Sequence, residues 1–249
     1  MTSPKNYQAQ QNALKKKVIL ITGGGSGIGK SAALIFAEYG ADLILVGKNP
    51  THLESTYQKF LDKNLKPPLL HVMDLEKSNE NDFKEINNVI EKEFGQLDGL
   101  LNNAGILGDK TPLENYKFDV WKKVFDINVH ASFLLTKSLL PVLKAAENSS
   151  IIFTSSGVGK RGRAYWGAYS LTKFATESMM QIFSEELKNT SSVRVNSIDP
   201  GPVRTKMRAA AYPAEDPLSL LDAKDIMNAY LYLMSNDSLK TTGQSVAAQ

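Results

Sequence analysis

From residue 18 onward, short β-branched apolar runs alternate with longer stretches whose apolar residues recur every three or four positions. Strands need a period of two, or a continuous apolar run when both faces are covered, whereas helices need a period near 3.6. On this basis strands are expected at 18–22, 42–46, 69–73, 97–101, 150–154, 193–199 and near 244–247. Helices are expected near 27–39, 51–63, 78–94, 114–144, 167–188 and 222–234. Such alternation without a linker or repeat predicts an α/β fold, a single doubly wound parallel sheet with helices on both faces. Pro141 is expected to kink the long middle helix or divide it into two pieces. Residues 200–217 follow a strand, are rich in Pro and Ala, and read as an active-site lid.

Glycine punctuation adds the first chemistry. The run VILIT leads into TGGGSGIG, Thr22 to Gly29, and then into the helical pattern KSAALIFAEYG. In a strand–glycine turn–helix unit the backbone can approach a pyrophosphate, and the helix N-terminus offers free N–H groups. The same residues also spell a rival, since GGSGIGKS fits the phosphate-loop pattern GxxxxGK[ST]. In that reading Lys30 grips phosphates, and LLHVMD ends on the aspartate, Asp74, that would hold Mg²⁺.

A second constellation lies in FTSSGVGKRGRAYWGAYSLTK, which carries Ser156, Tyr169 and Lys173. Tyr169 and Lys173 are four apart and share a helix face. An ammonium about 6 Å from a phenolate stabilises it by roughly 2–3 kcal/mol at an effective dielectric of about 20. That would bring a phenol with an ordinary pKa of about 10 towards the range useful for proton transfer. The plain alternative is a surface tyrosine and lysine on an amphipathic helix.

Order and spacing decide between these readings. TGxxxGxG is followed by LDGLLNNAG (97–105), DINVHASF with Asn128, Ser156, Tyr169, Lys173, and VRVNSIDPGPVRT (193–205). From about residue 16 to 246 the chain resembles the short-chain dehydrogenase/reductase family, and its lid sequence RTKMRAAAYPAEDP is similar to that of the YciK-type bacterial members. The resemblance implies a Rossmann-type oxidoreductase, a carbonyl reductase of 3-oxoacyl or another type. It implies Asn128, Ser156, Tyr169 and Lys173 as catalytic residues, with Asn128 ordering a relay water. It assigns cofactor contacts to Thr22, Gly23, Gly25, Ser26, Gly27, Ile28 and Gly29. Further along it assigns them to Asp74 with Leu75, to Asn103, Ala104 and Gly105, to Tyr169 and Lys173, and to Pro200, Gly201, Val203 and Thr205. A non-catalytic dinucleotide sensor on the same fold is the second reading, and a nucleotide triphosphatase the third.

The second strand ends LILVGKN, with Gly47 where an NAD-binding chain usually carries an acid, and Lys48 next. A cation there, with no anion, favours NADP(H) over NAD(H). The family pattern is also broken at the end, where TGQ runs into SVAAQ, which leaves one pocket wall open.

Composition narrows the classes. With 249 residues and 42% hydrophobic residues, the chain suits one globular domain at 17–249 behind a polar, frayed extension at 1–16. There is no cysteine, so thiolate metal sites and disulfides are excluded. His52, His71 and His130 are scattered, and no metal site is expected. A net charge of +3 gives no nucleic-acid signature. No apolar run approaches membrane-spanning length and no apolar signal core is present, so a cytoplasmic protein is expected. Apolar residues on more than one face of the helices near 128–143 and 168–188 predict a homodimer or homotetramer. Six cations, Lys160, Arg161, Arg163, Arg204, Lys206 and Arg208, are expected around the pocket mouth, where they would favour an anionic carbonyl or alcohol substrate.

Overall fold

The β-branched runs become seven parallel strands: β1 (Val18–Thr22), β2 (Asp42–Gly47), β3 (Leu69–Val72), β4 (Gly99–Asn102), β5 (Ser150–Thr154), β6 (Arg194–Asp199) and β7 (Ser245–Ala247). In the computed structural model, which describes residues 3–249, they form one sheet in the order β3-β2-β1-β4-β5-β6-β7. Leu20 pairs with Ile44 on one side and Leu100 on the other, so strand order reverses at β1 and β4. A crevice opens at the carboxyl ends of the strands at such a reversal. Every residue of β1 and β5 is buried, which is why both read as unbroken apolar runs.

Eight α-helices lie among the described residues: α1 (Gly27–Glu38), α2 (Pro50–Asp62), α3 (Glu80–Phe94), α4 (Phe118–Phe125), α5 (Ala131–Ala145), α6 (Gly167–Leu187), α7 (Lys206–Ala211) and α8 (Met227–Met234). One core packs Phe36 of α1, Phe60 of α2 and Tyr230 of α8 against the sheet. The other packs Phe83 and Ile90 of α3, Leu139 of α5 and Phe183 of α6. Of the apolar residues that predicted a partner surface, Leu135, Leu139, Met180 and Phe183 belong to this core, while Phe133, Phe174 and Ile182 are exposed.

The middle helix differs from expectation. The break falls at a π-turn, Asp126–His130, which joins α4 to α5, and Pro141 is accommodated inside α5. The Ala131 N–H reaches back five residues to the Asp126 carbonyl. The extra residue rotates the frame and turns Ile127 and Asn128 inward.

The expectation of a frayed N-terminus is corrected from Ser3 onward. The segment docks on α8, with the Tyr7 ring 5.4 Å from that of Tyr232, its hydroxyl donating to Asp237 at 2.6 Å, and Leu14 fully buried. Among the described residues no helix is long and apolar enough to cross a membrane.

Candidate active site

The ends of β1, β4, β5 and β6 and the first turns of α1 and α6 build the site. The turn after β1 is tight: Gly23 and Gly27 take left-handed φ values of 71° and 51°, and a Cβ on Gly29 would lie 2.4 Å from the Gly23 carbonyl oxygen. Gly25 is equally constrained, because a Cβ there would lie 2.9 Å from that of His52. Ser26 caps α1 without a side-chain hydrogen bond, and no acidic residue occupies the first turn. The helix ladder starts with Lys30, whose N–H donates to the Ser26 carbonyl, so the N–H groups before it remain free for an anion.

Thr22 and Asn103 bind the strand ends together. The Thr22 hydroxyl accepts from the N–H groups of Asn103 and Ala104, both at 3.0 Å, while Asn103 Nδ2 donates to the Thr22 carbonyl at 3.1 Å. This fixes the turn Asn103–Gly105 against the glycine loop. Gly105 then leaves room for its neighbours: a Cβ would stand 3.2 Å from Asn128 Oδ1 and 3.9 Å from Lys173 Nζ.

Ser156 sits just beyond β5, in a turn clamped to α6 by Ser170, whose hydroxyl donates to the Val158 carbonyl at 2.6 Å. Tyr169 and Lys173 lie on the first turns of α6, and both are buried. Lys173 Nζ donates to the Thr154 carbonyl at 2.7 Å and lies 5.5 Å from the Tyr169 ring centre. Burial pulls the Lys173 pKa down to about 8, with the Glu177 carboxylate one turn further on working against it.

The phenol behaves otherwise than its spacing from Lys173 suggests. Burial pushes the Tyr169 pKa up to about 12, the Ser156 hydroxyl works in the opposite direction, and Asp199 adds to the rise. Desolvation therefore outweighs the Ser156 hydrogen bond in this arrangement, and Tyr169 holds its proton at neutral pH.

The Asn128 amide is fully engaged. Its Oδ1 accepts from the Ile106 N–H at 2.9 Å, and its Nδ2 donates to the Ile106 carbonyl at 3.0 Å and the Thr172 hydroxyl at 3.1 Å.

One cavity of about 450 Å³ joins these parts. Gly23, Ser26, Gly27 and Ile28 line it at one end, and Ser156, Tyr169 and Lys173 at the other. Asn103, Ala104 and Gly105 form its floor, and Pro200, Gly201, Val203 and Thr205 its roof. Thr205 also caps α7, accepting from the Arg208 N–H at 3.1 Å. Thr22, Gly25, Gly29 and Asn128 stand behind this lining and hold it in place. Gln249, which carries no sequence signal, props the roof by donating to the carbonyls of Pro200 at 2.7 Å and Pro202 at 3.0 Å.

Two expectations change at the rim. Lys48 does not face an anion-free slot. It lies 2.9 Å from Asp74 Oδ2 and 3.7 Å from Glu76 Oε2, because Gly47 pairs with Val72 and brings the segment after β3, with Asp74 and Leu75, alongside. Burial works against the Asp74 carboxylate, but Lys48 and the Glu76 N–H together hold it below its ordinary range. The six-cation mouth also shrinks. Lys160, Arg161 and Arg163 lie outside the cavity lining, Arg204 pairs with Asp222 at 2.9 Å, and Arg208 with Glu215 at 2.6 Å. Among the six, only Lys206 lines the cavity without a carboxylate partner among the described residues. No group of three or more potential metal ligands occurs among the described residues.

The free N–H groups, the glycine cradle and the elongated cavity fit a dinucleotide, its pyrophosphate at α1 and its far end at Tyr169. Comparison with known proteins agrees with this geometry. The family model for short chain dehydrogenases matches residues 17–216. The chain is 42% identical over 244 residues to the uncharacterized oxidoreductase YciK of Escherichia coli (strain K12), covering 98% of this chain and 96% of that protein. A putative short chain dehydrogenase from Pseudomonas syringae is 45% identical, with a TM-score of 0.96, covering 98% of this chain and 99% of the other. A putative short chain dehydrogenase from Shigella flexneri 2a, solved in complex with NADP, is 42% identical, with a TM-score of 0.94, covering 96% and 100%. These matches span the glycine turn, the segment with Ser156, Tyr169 and Lys173 and the sheet that joins them, and the chain belongs to the short-chain dehydrogenase family of oxidoreductases.

Proposed function

We propose that this protein is an NADP(H)-dependent carbonyl reductase for a small substrate with an apolar flank. The observation that carries the reading is that Ser156, Tyr169 and Lys173 share one cavity with a glycine turn suited to a pyrophosphate. The nicotinamide, when bound, exchanges hydride with the carbonyl carbon, and the chain supplies position and protons. Ser156 accepts the task of orienting the carbonyl oxygen. Tyr169, which keeps its proton at neutral pH, donates it to that oxygen as the alcohol forms. Lys173 holds its charge below about pH 8 and would help to hold the cofactor's ribose. Asn128 fixes the loop before α4, and its π-turn would order the water that resupplies the proton.

Thr22, Gly23, Gly25, Ser26, Gly27, Ile28 and Gly29 would form the phosphate cradle. Asn103, Ala104, Gly105, Pro200, Gly201, Val203 and Thr205 would enclose the nicotinamide half. Lys48, Asp74 and Leu75 would border the adenosine end. NADP(H) over NAD(H) is supported by Lys48 and by the NADP complex of the Shigella relative. Leu107, Trp166, Met207 and Ala211 supply the apolar substrate wall.

The test is a panel of aldehydes, ketones and alcohols with each nicotinamide, followed at the absorbance band of the reduced cofactor. Turnover with NADPH, lost by roughly a thousandfold in Tyr169→Phe while NADPH affinity stays within a few-fold, is the expected result. Full activity in that variant removes the phenol from the mechanism. Cofactor binding without turnover of any substrate turns the reading to a dinucleotide sensor.

A further inference from the structure

Beside the cavity, against its lining residues Trp166, Arg208 and Ala211, lies a clasp that no sequence motif announces. Lys110, in the loop between β4 and α4, donates from Nζ to the carbonyl of Ala211, the last residue of lid helix α7, at 2.7 Å. The same ammonium lies 4.7 Å from the ring centre of Trp166 and 4.5 Å from that of Tyr212. Arg208 covers Tyr212 at 3.9 Å and is held in turn by Glu215. Lys110 has no carboxylate within ion-pair distance among the described residues. Its charge is instead met by two aromatic faces and by the carbonyl at the negative end of a helix.

The rings continue inward. Tyr212 lies 5.8 Å from Trp166, and Trp166 lies 5.8 Å from the catalytic Tyr169. The clasp is therefore in contact, ring by ring, with the reacting end of the cavity. Its two halves come from separate parts of the chain, 101 residues apart at the Lys110–Ala211 bond. Among the hydrogen bonds of the described residues, that bond is the one that ties α7 to the loop after β4.

The loop that carries Lys110 is itself held rigid. The Tyr116 hydroxyl accepts from the Asp109 N–H at 3.1 Å. A Cβ on Gly108 would lie 2.4 Å from the Tyr116 hydroxyl oxygen, and a Cβ on Gly167 would lie 2.6 Å from the Tyr116 ring. One tyrosine thus sets both the height of Lys110 and the start of α6, where Trp166 precedes Tyr169. A latch works only from a fixed post, and Tyr116 provides it.

We propose that Lys110 is a positioning residue that latches the substrate lid, holding α7 and Tyr212 down on Trp166 so that the apolar wall beside Tyr169 is complete. Its importance for turnover rests on the reductase reading above; its effect on the lid does not. Cation–π contacts and one hydrogen bond of this kind together shift a closed–open equilibrium by about tenfold.

The test is limited trypsin digestion of the full chain, with cleavage after Arg204, Lys206 and Arg208 timed by mass spectrometry. Lys110→Met keeps the length of the stem and removes the charge and the donors, and Lys110→Arg restores both. Expected is lid cleavage faster by about tenfold in Lys110→Met and within about twofold of wild type in Lys110→Arg, with cleavage elsewhere unchanged. In Tyr212→Leu the lid is already released, so adding Lys110→Met to it is expected to accelerate cleavage by less than about threefold. An unchanged rate in Lys110→Met, equal acceleration by Arg, or full additivity in the double variant overturns the latch. A protein that shows the latch and reduces no carbonyl keeps this inference and loses the reductase reading.

Discussion

Asn128 and Ile106 exchange two hydrogen bonds, side chain to main chain, at 2.9 and 3.0 Å, and the same amide reaches the buried Thr172 on α6. A π-turn thus fastens the loop after β4 to α6. Asn128→Ala leaves a part-buried N–H, a part-buried carbonyl and a buried hydroxyl without this partner. We predict a loss of about 3 kcal/mol in urea unfolding, together with reduced activity, since each orphaned group costs about 1–3 kcal/mol. An unchanged unfolding midpoint would show that water replaces the amide.

Lys173 gives stability a pH dependence of known sign. Its pKa is about 8 folded, against about 10.4 for a free lysine. Between those values the unfolded chain holds a proton that the folded chain has released, so stability rises with pH. Tyr169, near 12 folded against about 10 free, acts in the opposite sense only above about pH 10. In the cofactor-free protein, wild type should therefore gain about 2 kcal/mol over Lys173→Met between about pH 8 and 9.5. Parallel curves for the two proteins, measured by urea unfolding, would contradict this. The other titrating groups are common to both proteins and cancel in the difference.

Cofactor choice turns on a lysine that is already paired. To meet a 2′-phosphate, Lys48 must leave Asp74 or share it. Lys48→Ala is predicted to weaken NADPH binding by about tenfold and NADH binding by less than about twofold, the difference being one charge-assisted contact. Fluorescence titration of both cofactors decides it. Equal losses would mean that Lys48 supports the fold of the rim and does not read the phosphate, and tighter NADH than NADPH binding in wild type would reverse the assigned preference.

Assembly is predicted from the faces the cores leave open. Phe133, Phe174 and Ile182 are 42%, 43% and 54% exposed on α5 and α6, next to Leu171 at 44%, which is too much apolar surface for two neighbouring helices facing water. Light scattering at micromolar concentration should give a dimer or tetramer, and Phe174→Glu with Ile182→Glu should shift it towards monomer without unfolding it. A monomeric wild type would refute the assignment.

The strands and their parallel arrangement are legible in the sequence: central strands buried on both faces are apolar throughout, as in VILIT and SIIFT, while the more exposed edge strands β3 and β7 follow from the alternation with helices. It also determined the glycine turn and the Ser156, Tyr169, Lys173 set, since a tight turn and a helical spacing of four are local properties. What it could not decide was anything that depends on which distant groups meet. Burial of Tyr169 sends its pKa up where a neighbouring ammonium alone would send it down. The pairing of β2 with β3 puts two carboxylates on Lys48, and the lid turns Arg204 and Arg208 towards their own acids. Lys110 and Gln249 carry no motif, yet one ties the lid helix to the loop after β4 and the other props the cavity roof. Desolvation and ion pairing are set by proximity in space, and only the folded sheet brings these segments together.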